Sequence, residues 1–177
     1  MAAQAAAALV ARKPTSVRLI ASPLTRTQQS AEPIAAAFRV AIDTDERLIE
    51  PFNRFEGRRM DLRSQLRRPE EWRWLSNPLR PSWGEPYREI AVRMLAAITD
   101  AADSVESGEV VLVSHQLPIW MVHRTLSRQP LYHDPRRRRC ALSSITTLER
   151  RDGRLVEVAY ADPAAALAKS AVDRGAV

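Results

Sequence analysis

The chain has 177 residues, with 27 Lys and Arg against 21 Asp and Glu and a single cysteine. That length suits one domain whose core needs no staples, and the lone Cys140 excludes an internal disulfide framework. The formal charge of +6 favours anionic ligands, phosphate esters and nucleic acids alike. The apolar runs are too short for a bilayer, and Met1–Val10 lacks the basic start and cleavage segment of a secretory signal, so a soluble cytoplasmic protein is expected.

MAAQAAAALVAR has strong helix propensity, ended by Lys13–Pro14. Its only large aliphatics are Leu9 and Val10, so a helix this short must dock to persist. Val17–Ile20 predicts a strand with Val17 and Leu19 on one face. SPLTRTQQSA follows, where Ser22 suits an N-cap and Pro23 the first helical position. Arg26 in the first turn opposes the helix dipole, and with the free amides there it makes a credible anion site. The alternative is a solvated surface arginine. This helix is expected to run to about Phe38 with a kink or break near Pro33, before an extended segment from Val40 to Ile42. Glu50 lies between apolar neighbours in LIEPF, where a raised pKa would suit proton transfer, unless it faces solvent or pairs with an arginine.

Residues 53–84 are the least regular stretch. Met60–Leu66 can form a short helix, and Trp72, Trp74 and Trp83 are interleaved with arginines. Such interleaving suits a single-strand nucleic-acid groove, a lid over a phosphate ester, or tryptophans packed inward. No RNA-module signature or recognition-helix pattern accompanies it, which weakens the nucleic-acid reading. Glu85–Ala102 reads as the best helix, with Ile90, Met94 and Ile98 forming a core stripe and Glu85 capping it or facing the site. Val110–Val113 suits a strand covered on both faces. It ends at Ser114–His115, the end where ligand chemistry sits in parallel sheets, and Pro118 can start the next helix. Arg136–Arg139 is either a phosphate-binding run or a solvated loop. Ala141–Leu148 and Leu155–Tyr160, joined by Asp152–Gly153, predict a hairpin.

Taken together, SPLTRTQQSA, LIEPFNRFEG, WGEPYREIAVRM and VVLVSHQLPIW resemble the histidine phosphatase superfamily, also called phosphoglycerate-mutase-like, over most of Met1–Tyr160. The resemblance implies a three-layer α/β/α sandwich with a mostly parallel sheet, a lid-like insertion at 53–84 and a tail from 161 to 177. It implies a phosphomonoester hydrolase or phosphomutase acting on a small phosphorylated substrate, with no cofactor and no metal. By matching segments, Arg26 resembles a phosphate-clamping arginine, His115 the second histidine of the site and Glu50 the general acid. Ser22 and Gln116 would line the phosphate, with Gln116 standing where the family usually has glycine. Trp72, Trp74, Trp83 and Glu85 are the candidates for substrate contacts from the lid.

The family's arginine–histidine–glycine triplet, which supplies the nucleophilic histidine, is absent from the sequence, whose histidines are His115, His123 and His133. The simplest account is a missing N-terminal segment that includes the first strand of the sheet; the other is a natural loss of catalysis. Either way the 177-residue chain is expected to be inactive or weak, because the nucleophilic route needs that histidine. Unpaired strand edges are expected to promote aggregation or a homodimer. A silent phosphate- or nucleotide-binding protein is the alternative function.

Overall fold

The computed structural model describes residues 1–51 and 84–168. The lid-like stretch with Trp72, Trp74 and Trp83, the Met60–Leu66 helix and the end of the tail therefore lie outside the described residues. In chain order the elements are α1 (Ala2–Val10), β1 (Val17–Ala21), α2 (Thr25–Phe38) and β2 (Ile42–Thr44), followed by a 3₁₀ turn at Glu46–Leu48. Then come α3 (Tyr87–Asp103), β3 (Glu109–Val113), α4 (Gln116–Leu126), a 3₁₀ turn at Pro135–Arg137, β4 (Ile145–Arg151), β5 (Arg154–Ala161) and the short α5 (Ala165–Ala168).

The fold is a three-layer α/β/α arrangement with a largely parallel central sheet. Its strands run in the order β2-β1-β3, with Ile20 opposite both Asp43 and Leu112. Alternation along the strands assigns each side chain to a layer. Leu19, Ala21, Val111 and Val113 face α1 and α2, packing with Ala6, Leu9, Ala31 and Ile34. Ile20, Val110 and Leu112 face the opposite way, onto Ile90, Met94 and Ile98 of α3 and Trp120, Met121 and Val122 of α4. The stripe read from the sequence of α3 is the stripe that is buried. Docking supplies what the short α1 lacks: Leu9 is 5% exposed, and its burial stabilises by roughly 1.5–3 kcal/mol.

Several boundaries differ from the sequence reading: β2 spans Ile42–Thr44 rather than starting at Val40, α3 starts at Tyr87 and α4 at Gln116, ahead of Pro118. Helix α2 begins at Thr25 with Leu24 at its cap, because the Ser22 side chain is not used as a cap. The same helix continues through Pro33, held by the buried Ala31 and Ile34 on either side of it. Strand β4 begins at Ile145, four residues later than the composition suggests. Ala141–Ser144 instead closes a turn in which the Ser144 amide donates to the Ala141 carbonyl (3.1 Å) and Ser143 has φ +61°. The β4–β5 hairpin is an antiparallel two-stranded sheet of its own. Among the described residues no helix is long and apolar enough to cross a membrane.

Candidate functional site

The site lies at the carboxyl ends of β1 and β3, which are neighbours in register. The ladder extends one step beyond the strands, since the Ser22 amide donates to the Val113 carbonyl at 2.9 Å. The Ser22 carbonyl accepts from both Thr27 Oγ1 (3.0 Å) and Gln28 Nε2 (2.8 Å). Thus fixed, the fully buried Ser22 hydroxyl meets His115 Nε2 at 2.9 Å. His115 is itself 6% exposed and occupies the N-cap of α4, its carbonyl accepting the Ile119 amide.

Arg26, in the first turn of α2, turns its guanidinium onto the other imidazole nitrogen, Nε to Nδ1 at 3.2 Å. Because an arginine N–H only donates, Nδ1 carries the lone pair and Nε2 carries the proton that goes to Ser22 Oγ. The imidazole is neutral in this arrangement. Its pKa is pushed down to about 4, first by burial and then by the positive charges of Arg26 and Arg93.

Glu50 brings a carboxylate to the same nitrogen, its Oε2 3.6 Å from His115 Nδ1. That separation is too long for a hydrogen bond, and with the imidazole neutral it is not an ion pair. Glu50 is held there by its approach. Leu48 is a fully buried peg among α3 and α4, and its carbonyl accepts Ser114 Oγ at 2.7 Å. Arg93 of α3 donates to the Arg47 carbonyl and, at 2.8 Å, to the Ile49 carbonyl, while a two-pronged bond to Glu85 fixes the guanidinium. Glu85 is thereby engaged by Arg93, and it does not cap α3, whose N-cap is Pro86.

On the other side of His115, the exposed Gln116 donates from Nε2 to the Cys140 carbonyl at 3.0 Å. Its Oε1 lies 3.5 Å from Arg138. The Cys140 thiol is buried and pushed up to about 11, so it stays protonated at neutral pH. His123 is engaged by Glu157 at 2.6 Å and stacked on Trp120, and His133 receives Arg138 Nε at 2.8 Å. Among the described residues, no group of three or more His, Cys, Asp or Glu side chains is placed to hold a metal ion.

Arg26, Ser22, His115 and Glu50, four residues expected at the site from sequence, are thus brought to one place, with Gln116 at its margin. Arg93 and Ser114 were not anticipated, and Arg138 was anticipated only as part of a run that could bind phosphate or be solvated. Arg93 looked like any polar residue of an amphipathic helix, and Arg138 was one of four consecutive arginines.

The model of the histidine phosphatase superfamily (branch 1) matches residues 1–163. The chain belongs to that superfamily. A histidine phosphatase domain therefore accounts for nearly the whole described structure. The chain is 51% identical over 150 residues to an uncharacterized protein of Mycobacterium tuberculosis, Rv0525, covering 84% of this chain and 74% of the relative. It is 36% identical over 134 residues to a probable phosphoglycerate mutase, GpmB, of an Enterobacter species, covering 72% of this chain and 61% of that protein. Among solved structures it is similar to a phosphoserine phosphatase mutant from Entamoeba histolytica in complex with phosphoserine. That likeness has a TM-score of 0.66 and 20% identity, and covers 92% of this chain and 81% of the other.

Proposed function

We propose that the site receives the phosphoryl group of a small phosphate monoester, and that the protein is a phosphomonoester hydrolase or phosphomutase of the histidine phosphatase type. The observation that carries this reading is the convergence on His115 Nδ1 of Arg26 at 3.2 Å and the Glu50 carboxylate at 3.6 Å. A guanidinium from the first turn of α2 and a buried imidazole just beyond the end of β3 offer charge and hydrogen bonds to an oxyanion. The Glu50 carboxyl beside them, in its protonated form, can give that proton to the departing oxygen and be left as the carboxylate. An arriving phosphate dianion would take over the Arg26 contact and, by its charge, raise the His115 pKa so that Nδ1 gains a proton to donate. No metal or cofactor is needed for these roles.

A second, catalytically silent reading is favoured by one specific observation. All three histidines of the chain are engaged: His115 by Ser22 and Arg26, His123 by Glu157, and His133 by Arg138. Each imidazole has at least one ring nitrogen committed to a neighbour, and on this reading none attacks a phosphoryl group held by Arg26. Without a nucleophile, the two-step route through phosphohistidine is closed and only electrostatic assistance remains. We therefore expect the 177-residue chain to bind phosphate and to turn esters over slowly.

The test is titration of the pure chain with inorganic phosphate, followed by ³¹P NMR or calorimetry, alongside release of phosphate from a chromogenic ester. Saturable binding that Arg26→Ala (R26A) weakens at least tenfold supports the phosphoryl site. Binding unaffected by that change overturns it. Robust turnover that survives His115→Ala would refute the roles given to these residues.

A further inference from the structure

The run Arg136–Arg139 does not behave as one basic patch. Arg136 is solvated, with 94% of its side chain exposed beside Asp134, and Arg139 is neutralised by Glu157 while lying over the Tyr160 ring. Arg137 is exposed at the end of the 3₁₀ turn. Arg138 alone folds back towards the site. Its Nε donates to His133 Nε2 at 2.8 Å, and one terminal nitrogen lies 3.5 Å from Gln116 Oε1.

These partners are neutral. Since Arg138 Nε can only donate, His133 Nε2 must hold a lone pair, leaving the Nδ1 proton for the Leu131 carbonyl at 2.9 Å. His133 is therefore uncharged, and burial disfavours its protonation further. The Tyr87 phenol, on a ring whose centroid is 5.4 Å from that of His133, completes the surroundings. Among the described residues Arg138 has no carboxylate within ion-pair distance, although Arg93, Arg136 and Arg139 each have one. Burial holds the Arg138 pKa below the ordinary arginine range, and the carboxylate of Glu50 is near enough to act in the opposite sense.

A guanidinium with five donors, neutral protein acceptors and partial burial is a binding group awaiting an anion. Its place is decided by its neighbours. It touches Gln116, next in sequence to His115, and feels Glu50, the proposed donor to the leaving oxygen. Arg26 holds the opposite flank at His115 Nδ1. We propose that Arg138 is a specificity-determining residue that binds a second negative charge on the leaving group, so that the preferred esters carry a carboxylate or a further phosphate. This rests on the phosphoryl site proposed above, with Arg26 holding the transferred group and Arg138 the remainder.

The experiment compares four probes on the full 177-residue chain: inorganic phosphate, ethyl phosphate, phosphoglycolate and ethylene glycol bisphosphate. The expected result is binding of phosphoglycolate, of the bisphosphate or of both at least tenfold tighter than ethyl phosphate; which of them gains identifies the second anion. Arg138→Gln should abolish that preference while changing ethyl phosphate affinity less than twofold, and Arg138→Lys, which keeps the charge, should retain part of it. Equal affinities for all three esters in the unaltered chain, or a preference that survives in Arg138→Gln, overturn the inference alone. If neither inorganic phosphate nor ethyl phosphate binds, the phosphoryl site itself fails, and the role of Arg138 fails with it. Thermal melts of both variants, matched to the parent, keep a folding defect from imitating the loss.

Discussion

His115 is neutral in the folded chain because charging it would strand a cation in a buried place beside Arg26 and Arg93. The unfolded chain has no such objection, and its imidazole titrates near the ordinary 6.5. Between pH 6.5 and 4 the unfolded state therefore takes up a proton that the folded state refuses, so stability falls as the solution is acidified through this window. Above pH 6.5 the residue contributes no slope. The gap between 6.5 and about 4 corresponds to on the order of 3 kcal/mol. Only 4% of the His115 side chain is exposed, so solvent does little to screen it. The assay is urea unfolding at a series of pH values for the parent and for His115→Gln, which keeps a donor and an acceptor but does not titrate. Asp45, whose pKa is lowered chiefly by its hydrogen bond to Arg47, and His133, whose pKa is lowered by burial, titrate in both proteins. They cancel in the difference. Parent stability should fall more steeply from pH 6.5 to 4 by about 3 kcal/mol, and saturating phosphate should shrink that excess by raising the His115 pKa. Parallel curves for the two proteins would refute the argument that burial and two arginines hold the imidazole uncharged.

Other outcomes follow from the same geometry. Arg26→Ala removes one of the two arginine charges acting on His115, so NMR titration should show the imidazole pKa moving up towards its ordinary value. Ser22→Ala deprives the buried Nε2 proton of its acceptor; chemical denaturation should show a loss of about 1–3 kcal/mol. Arg93→Met leaves the Ile49 carbonyl and the Glu85 carboxylate without their donor. It should cost about 2–3 kcal/mol, and any turnover by the chain should fall by more than phosphate affinity does. Gly108→Ala should destabilise by at least ~1–3 kcal/mol, read as a lowered Tm. Gly108 has φ +102°, and an added Cβ would stand 2.6 Å from the Ser16 carbonyl oxygen, a backbone atom that cannot swing aside.

Residues whose role follows from their immediate neighbours were legible in the chain. Val110–Val113 declares a strand by being uniformly apolar, although its residues are only half-buried between the two helical layers. His115 at its end then needed only a partner. The α3 stripe declares a buried face by its spacing. SPLTRTQQSA pointed to Arg26 through a resemblance, and the structure supplies the reason: the turn at Ser22 is pinned by Thr27 and Gln28, which delivers the next helix with Arg26 aimed at His115. The misread positions are those where a side chain chose a distant partner over a local one. Ser22 looked like a helix cap, but its hydroxyl is taken by an imidazole 93 residues away. Arg93 serves carbonyls 46 and 44 positions earlier, and no periodicity announces that. Arg138 and Arg139 are adjacent and identical in type, yet only Arg139 has Glu157 within reach, because that carboxylate arrives on β5.

The bond between Ser22 and His115 ties two neighbouring strands just beyond their last rung, where the distance between backbones is set by the ladder at about 4.8 Å. That side of the candidate site cannot widen or narrow without parting β1 from β3. Among the described residues, the long, rotatable side chains at the proposed site are Arg26 and Arg138, on its two flanks. If the proposed phosphoryl site holds, Ser22 and His115 form its fixed jaw and the two arginines its adjustable ones. Differences in substrate choice among relatives that share the seam should then be sought at the arginines.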